Sequence, residues 1–366
     1  MNKSQHTFAA SHPRLTPLST FSPTDHLLLS TLRFIPTTTS PGPFTFIFLH
    51  ATGLQSSTFE PLIATLFDSS IGRNIKEVWA IDAANQGDSA VLNDGKLGVE
   101  YSWADGARDI TSVIKQANLT EPIVLVGHSM GGAQALLATI LHPTLIHATI
   151  ALEPVAHNAP ISTPPTLLLH NTLRKPSSWP SRTDTSLLSL RQKSFYRRWD
   201  QRVWDIWLET ALHQNEEGGQ VRLKTTPIQE AACYLDPTTQ SLTFSLLPHM
   251  RRPVLYVVGG AARWNTAQSN VDRQGRTPGA RTVVVEGGGH LVCVEDVQGT
   301  VDAMVPFLTE VMDDWTENSK QTHNPTNVPQ WRERRTQELL DGFRKILEAK
   351  IGKDDAAKAK ITKSML

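Results

Sequence analysis

Residues Ile123–Ile140 read IVLVGHSMGGAQALLATI. A short apolar run rich in β-branched residues passes directly into a helical run, and Ser129 stands at the junction between two glycines. Gly127–Gly131 matches the pattern G-x-S-x-G, which arises by chance in roughly one chain in ten of this length, so context must decide. Here a buried strand (Pro122–Val126) precedes the pattern and a helix (Met130–His142) follows it. That is the strand–turn–helix a serine nucleophile at a sharp turn requires. The glycines are needed because the serine sits in a strained turn where neighbouring strand and helix crowd together. The amino end of the following helix also favours an anionic intermediate.

Working outward, Phe44–His50, Glu77–Asp82, Pro122–Gly127 and Ala148–Glu153 are short apolar runs. They read as strands buried on both faces of a parallel sheet. Helical patterns lie over 57–67, 101–117 and 130–142, giving βαβ units. The alternation stops at His157. Through about Leu247 the chain carries prolines, a polar Ser/Thr/Pro stretch and one strong helical region over 186–212. It resumes with strands at Pro253–Gly260 and Arg281–Glu286 and a helix over 297–315. The chain therefore divides into a first core segment (1–156), a helical cap (157–247), a second core segment (248–315) and a tail (316–366). In that tail Leu339, Leu340, Phe343, Ile346 and Leu347 form one face at helical spacing and predict an amphipathic helix docked on the core.

A serine nucleophile needs a base and an acid to orient it. His290 follows a strand and three glycines (VVVEGGGHLVCVED) and lies downstream of the serine, where the order Ser…acid…His puts the base. The acid is absent from its usual place: after the strand at 253–260 comes AARWNTAQSN, with no carboxylate before Asp272. The carboxyl end of the strand after the elbow helix offers Glu153 instead, 24 residues beyond Ser129. An acid at an apolar strand end is costly without a partner, so Glu153 is the expected acid and Asp272 the alternative. The loop after the first long strand, His50–Gly53 (HATG), supplies an oxyanion amide in sites of this kind, paired with the residue after the nucleophile. That assigns Thr52 and Met130. Phe195, Trp199 and Trp204 in the cap are candidates for an apolar acyl pocket.

Thirty-five basic and 35 acidic side chains cancel, which gives no reason to expect nucleic acid or an anionic membrane as partner. No apolar run reaches bilayer length, and none near the amino terminus serves as a signal peptide. Two cysteines, Cys233 and Cys293, imply no disulfide framework and a reducing compartment. No closely spaced His/Cys cluster, H-E-x-x-H, P-loop or G-x-G-x-x-G pattern is present, so neither metal nor nucleotide cofactor is expected.

The chain resembles the α/β-hydrolase superfamily. Within it, it is similar to the fungal peroxisomal hydrolases of secondary metabolism, a group with the acyl-CoA hydrolase of mycophenolic acid biosynthesis, hydrolases of host-selective toxin clusters and a yeast peroxisomal lipase. The resemblance covers about 44–315 and rests on HATGLQSSTFEPLI, DAANQGDSAVLN, YSWADGARDI, VGHSMGGAQALLA, ALEPV, SFYRRWDQRVWDIWLETAL, TPIQEAACY and GGGHLVCVED. Glu153 departs from the Asp often found there. The resemblance implies a mostly parallel α/β sheet with helices on both faces and a helical cap, and hydrolysis of acyl esters or thioesters with no cofactor. It also gives weight to the terminal Ser364-Met365-Leu366, which keeps the small first and aliphatic last residues of a peroxisomal address but lacks its central basic one. An import receptor for that tripeptide and a small acyl ester or acyl-CoA are the expected partners; a cytoplasmic location is the alternative. Among other functions, epoxide and haloalkane hydrolysis require a carboxylate where Ser129 stands. A non-catalytic binding protein on the same scaffold leaves Ser129, His290 and Glu153 without a purpose.

Overall fold

The computed structural model describes residues 1–37, 40–157, 165–214, 220–236, 238–321, 337–341 and 344. Strands β1 (Asn2–Ala9), β2 (Leu28–Ile35), β3 (Phe44–Leu49), β4 (Ile75–Ile81), β5 (Ile123–His128) and β6 (Ala148–Leu152) precede the cap. Within the cap run β7 (Ser178–Trp179), β8 (Leu212–Gln214) and β9 (Val221–Leu223), and after it β10 (Val254–Gly259) and β11 (Arg281–Val285). Eight strands form one sheet in the order β1-β2-β4-β3-β5-β6-β10-β11. β1 and β2 join antiparallel at one side, and every pairing from β4 to β11 is parallel. This is the mostly parallel sheet with helices on both faces that the resemblance implied. All residues of β3, β5 and β10 are buried, which is why these strands read as unbroken apolar runs.

The helices before the cap are α1 (Glu60–Asp68), α2 (Gly87–Leu92), α3 (Trp103–Gln116) and α4 (Met130–Leu141). Those of the cap are α5 (Pro165–Leu173), α6 (Thr185–Leu188), α7 (Gln201–Thr210), α8 (Pro227–Cys233) and α9 (Thr239–Leu246). α10 (Ala267–Arg276), α11 (Val292–Glu295) and α12 (Val297–Gln321) complete the set. Helix α4 is the central one: every residue from Met130 to Thr139 is buried, and it packs on β3, β5 and β6.

Two expectations need correction. The single helical region over 186–212 is instead α6, a 3₁₀ turn at Ser189–Gln192, a non-helical bend and α7. The Arg191 guanidinium takes the carbonyls of Tyr196 and Trp199 out of any helical ladder. Asp200 then caps a fresh start, its carboxylate accepting the Arg202 N–H at 2.8 Å. In addition, the cap is not purely helical, since β7, β9 and β8 make a three-stranded antiparallel sheet.

The chain divides into compact units Met1–Val311 and Met312–Leu366. In the second, residues 337–341 and 344 are helical and Leu339 and Leu340 are exposed. Phe343, Ile346, Leu347 and the tripeptide Ser364–Leu366 lie outside the described residues. Among those described, no helix is long and apolar enough to cross a membrane.

Candidate active site

Ser129 holds φ 54° and ψ −110°, in the turn between β5 and α4. A Cβ on Gly127 would lie 2.1 Å from the Gly131 carbonyl oxygen, and one on Gly131 would lie 2.2 Å from that of Leu49. The pattern's two glycines are therefore required by close backbone approach. The strained turn is tied down on both sides. The Ser129 N–H donates to Leu152 O (3.0 Å), and the Val155 N–H donates to Ser129 O (3.2 Å). These two bonds bracket Glu153, which itself has φ 45°. Among the described residues only Asn118, Ser129 and Glu153 combine a side chain with positive φ. Strain of this kind persists only where the surroundings over-determine it, and it clusters at functional sites.

One hydrogen-bonded chain connects the three residues picked out by sequence. Ser129 Oγ is 2.9 Å from His290 Nε2, and His290 Nδ1 is 3.1 Å from Glu153 Oε2. A carboxylate oxygen accepts, so Nδ1 carries the proton and Nε2 is left to accept from the serine. Glu153 is fully buried. Its Oε1 accepts the Gly259 N–H at 2.8 Å and its Oε2 the Asn265 amide at 2.9 Å. Asn265 belongs to AARWNTAQSN, the segment that lacks a carboxylate, and supplies a donor to Glu153. Asp272 lies on α10, where it accepts from Gln268 on the surface.

Sequence reasoning missed the residues that hold this chain. His128 Nε2–H donates to the His290 carbonyl at 2.8 Å, and its ring lies 5.5 Å from that of His290. Trp264 packs against the same imidazole at 5.6 Å between ring centroids. Burial, with His290 as a second cause, pushes His128 down to about 3, so it is a neutral strut. Gly289 N–H donates to Glu295, which pairs with Arg198 of the cap, while Arg198 also reaches the Gly287 carbonyl. Arg273, fully buried, donates to the carbonyls of Pro154 (3.0 Å) and Ala156 (3.3 Å), just past the acid. Its one signal in the sequence was a cation on a helix following the strand that faces Glu153, too weak to identify it.

The loop after β3 approaches Ser129 from the other side. The Ala51 carbonyl accepts both the Leu54 N–H (3.1 Å) and His50 Nδ1–H (2.8 Å). Because the peptide is planar and trans, the Thr52 N–H points the opposite way. Thr52 Oγ1 donates to Met130 Sδ at 3.5 Å, so the two residues are neighbours. Met130 opens α4, where an amide has no intrahelical acceptor. His50 is kept neutral by burial, its Nε2 accepting the Ala83 N–H at 3.0 Å. The motif DAANQGDSAVLN anchors the same loop: Gln86 Oε1 accepts the Gly53 N–H at 2.7 Å, and Gln86 Nε2 reaches Cys233 of the cap.

Ser129 and His290 open into a cavity of about 970 Å³. Of the cap aromatics expected there, Phe195 lines it, joined by Tyr196 and Trp207. Trp199 and Trp204 do not line it. They are buried in the cap's own core, where the Trp204 and Trp207 rings stack at 5.2 Å and Trp199 meets Trp207 edge-on at 6.2 Å. Among the described residues no group of three His, Cys, Asp or Glu side chains is placed to hold a metal ion.

A sequence profile of the alpha/beta hydrolase family matches residues 46–303. The chain belongs to the alpha/beta hydrolase family. It is a hydrolase by that membership. It is 30% identical to the peroxisomal membrane protein LPX1 of Saccharomyces cerevisiae, over 80% of this chain and 83% of that protein. It is 26% identical to the type I acyl-CoA thioesterase mpaH' of Penicillium brevicompactum, over 87% of this chain and 89% of that one. The crystal structure of the peroxisomal alpha-beta-hydrolase Lpx1 from Saccharomyces cerevisiae superposes with a TM-score of 0.73 at 25% identity, covering 94% of this chain and 98% of that one.

Proposed function

We propose that this hydrolase cleaves acyl thioesters of the acyl-CoA type with Ser129 as nucleophile, His290 as general base and acid, and Glu153 as the orienting acid. The observation that carries the reading is the unbroken chain from Ser129 Oγ through His290 to Glu153, opening into the cavity. Ser129 Oγ attacks the carbonyl carbon and its proton passes to His290 Nε2, while Glu153 stabilises the resulting imidazolium. We assign the oxyanion to the N–H groups of Thr52 and Met130, a reading supported by the contact between the two residues and by Met130's place at the start of α4. Collapse breaks the C–S bond, and the departing thiolate takes the proton from Nε2. Water then attacks the acyl-serine by the same route, releasing the acid and restoring Ser129.

A thioester carbonyl has less resonance stabilisation than an ester and a better leaving group. Such a site therefore needs no further electrophile to cleave it. The cavity is large enough for a bulky acyl group, and a relative named as an acyl-CoA thioesterase supports the thioester over a simple ester. The relative named as peroxisomal supports reading Ser364–Leu366 as a peroxisomal address and its import receptor as a partner. We place the activity in secondary metabolism of the toxin or polyketide kind. The test is release of free CoA, read with a thiol reagent, from a panel of medium-to-long and bulky acyl-CoAs. Release that Ser129→Ala abolishes is expected. Strong hydrolysis of simple triglycerides with none of any acyl-CoA would overturn the thioester reading in favour of a lipase or carboxylesterase. For the address, deleting Ser364–Leu366 is expected to turn punctate peroxisomal fluorescence diffuse; unchanged puncta would overturn it.

A further inference from the structure

The cavity's cap side is not uniformly apolar. Lys175, just past α5, and Glu230, on α8, form an ion pair, and both line the cavity with Ser129. Their side chains keep 26% and 11% of their exposure. Glu230 also packs on the loop that carries Thr52. A Cβ on Gly53 would lie 2.9 Å from the Glu230 carboxyl carbon, and Gly53 has φ +78°. The positive φ favours glycine at this position, and the absence of a Cβ leaves the space beside it to the Glu230 carboxylate. Tyr196 and Tyr234 line the same stretch of wall, and Glu230 adds to the effect of burial in raising both phenols.

A carboxylate packed against Gly53, the neighbour of the Thr52 amide assigned to the oxyanion, opposes the charge that develops on the substrate unless a cation neutralises it. Lys175 does this, and the pair is electrically neutral as a unit. Neutrality does not remove its need for hydrogen-bond partners. The pair faces a cavity that a substrate must empty of water, and a hydrocarbon chain laid against it would strip both ions of solvent and return nothing. A hydroxyl both donates and accepts, so it can serve the carboxylate and the ammonium together. A site built around buried polar groups discriminates strongly against the analogue that lacks the matching group.

We propose that the Lys175–Glu230 pair is the specificity element of the acyl pocket, and that the preferred acyl group carries a hydroxyl or similar hydrogen-bonding group close to the carbonyl attacked by Ser129. The assignment rests on the hydrolase reading above and deepens it. Position follows from Gly53: Glu230 sits beside the oxyanion loop, so the polar group belongs near the reacting carbon and not at the far end of the chain.

The experiment compares kcat/KM for octanoyl, 3-hydroxyoctanoyl and 8-hydroxyoctanoyl thioesters, with fluorophosphonate labelling of Ser129 run in parallel. The wild-type enzyme is expected to favour the 3-hydroxy compound over the unsubstituted one by about tenfold or more, with no such gain for the 8-hydroxy compound. In the double variant Lys175→Met, Glu230→Gln the ratio is expected to fall to within about twofold of unity. Removing both charges together avoids stranding one of them. Because the readout is a ratio within one enzyme, a general loss of activity in the variant cancels. A wild-type enzyme that takes up the fluorophosphonate but treats the three thioesters alike, or prefers the 8-hydroxy compound, overturns the assignment and leaves the hydrolase reading standing. A preference that survives in the double variant also overturns it. Failure of Ser129 to label overturns both.

Discussion

The two walls of the cavity are built by different means. On the sheet side, Ser129, Glu153 and His290 are held by backbone: two residues at positive φ, bonds from Ser129 to Leu152 and Val155, and the His290 carbonyl clamped by His128. On the cap side, Phe195, Tyr196 and Trp207 are placed by ring packing, and Lys175 and Glu230 by one ion pair. Backbone fixation gives the sub-ångström placement that proton transfer needs. Side-chain packing gives a shape that a few substitutions can change. The chemistry should therefore be brittle and the substrate preference adjustable.

The largest effects should fall on the sheet side. Ser129→Ala and His290→Ala are each expected to lower kcat by about 10⁴-fold or more, with the double variant hardly worse, because the residues act as a unit. Losses that multiply would break the comparison at its root. Glu153→Gln is expected to cost about 10²–10⁴-fold, while Asp272→Asn, on the surface, should stay within about twofold. The reverse ranking would mean the acid is misassigned.

His128 links the same wall to stability. Its folded value near 3 lies below the ordinary 6.5, so below pH 6.5 the unfolded chain binds a proton that the folded one refuses. Stability contributed by this group is complete above 6.5 and is lost on acidification, by up to about 1.4 kcal/mol per pH unit. Urea unfolding of His128→Asn between pH 6.5 and 4.5 should show a shallower fall than the wild type. An equally steep one would remove His128 as the neutral strut.

The cap should respond more mildly and in two ways. Trp204→Ala, in the cap core, is expected to cost roughly 3–5 kcal/mol of stability. Phe195→Ala, on the cavity wall and 43% exposed, should leave stability nearly unchanged and alter the preference between long and short acyl chains by about tenfold. If Trp204→Ala shifted chain-length preference and Phe195→Ala did not, the division between core and lining aromatics would be wrong.

The same contrast explains what was legible in the sequence. The elbow at Ser129 obeys local rules, glycines between a β-branched run and a helix, and local rules are written in neighbouring residues. Glu153 was visible because a lone acid ending an apolar strand demands a partner. β1 was not visible. Its pattern, NKSQHTFA, is exposed along most of its length, and an edge strand with one partner needs no apolar alternation. The cap aromatics were visible as a group but not as individuals. Whether Phe195 or Trp204 faces the cavity depends on the bend that Arg191 and Asp200 impose, through side-chain bonds to backbone that interrupt the helical period without changing the apolar pattern. Asn265, His128 and Arg273 act through tertiary hydrogen bonds, which leave no periodic trace.

The account's central claim, that Ser129 is the nucleophile of this hydrolase, is tested most directly by covalent trapping with a fluorophosphonate followed by peptide mapping. One phosphonyl adduct per chain on Ser129, formed in step with loss of acyl hydrolysis and absent from Ser129→Ala, is the expected result. Hydrolysis that persists in Ser129→Ala, or an adduct that maps to another residue as activity is lost, would contradict it.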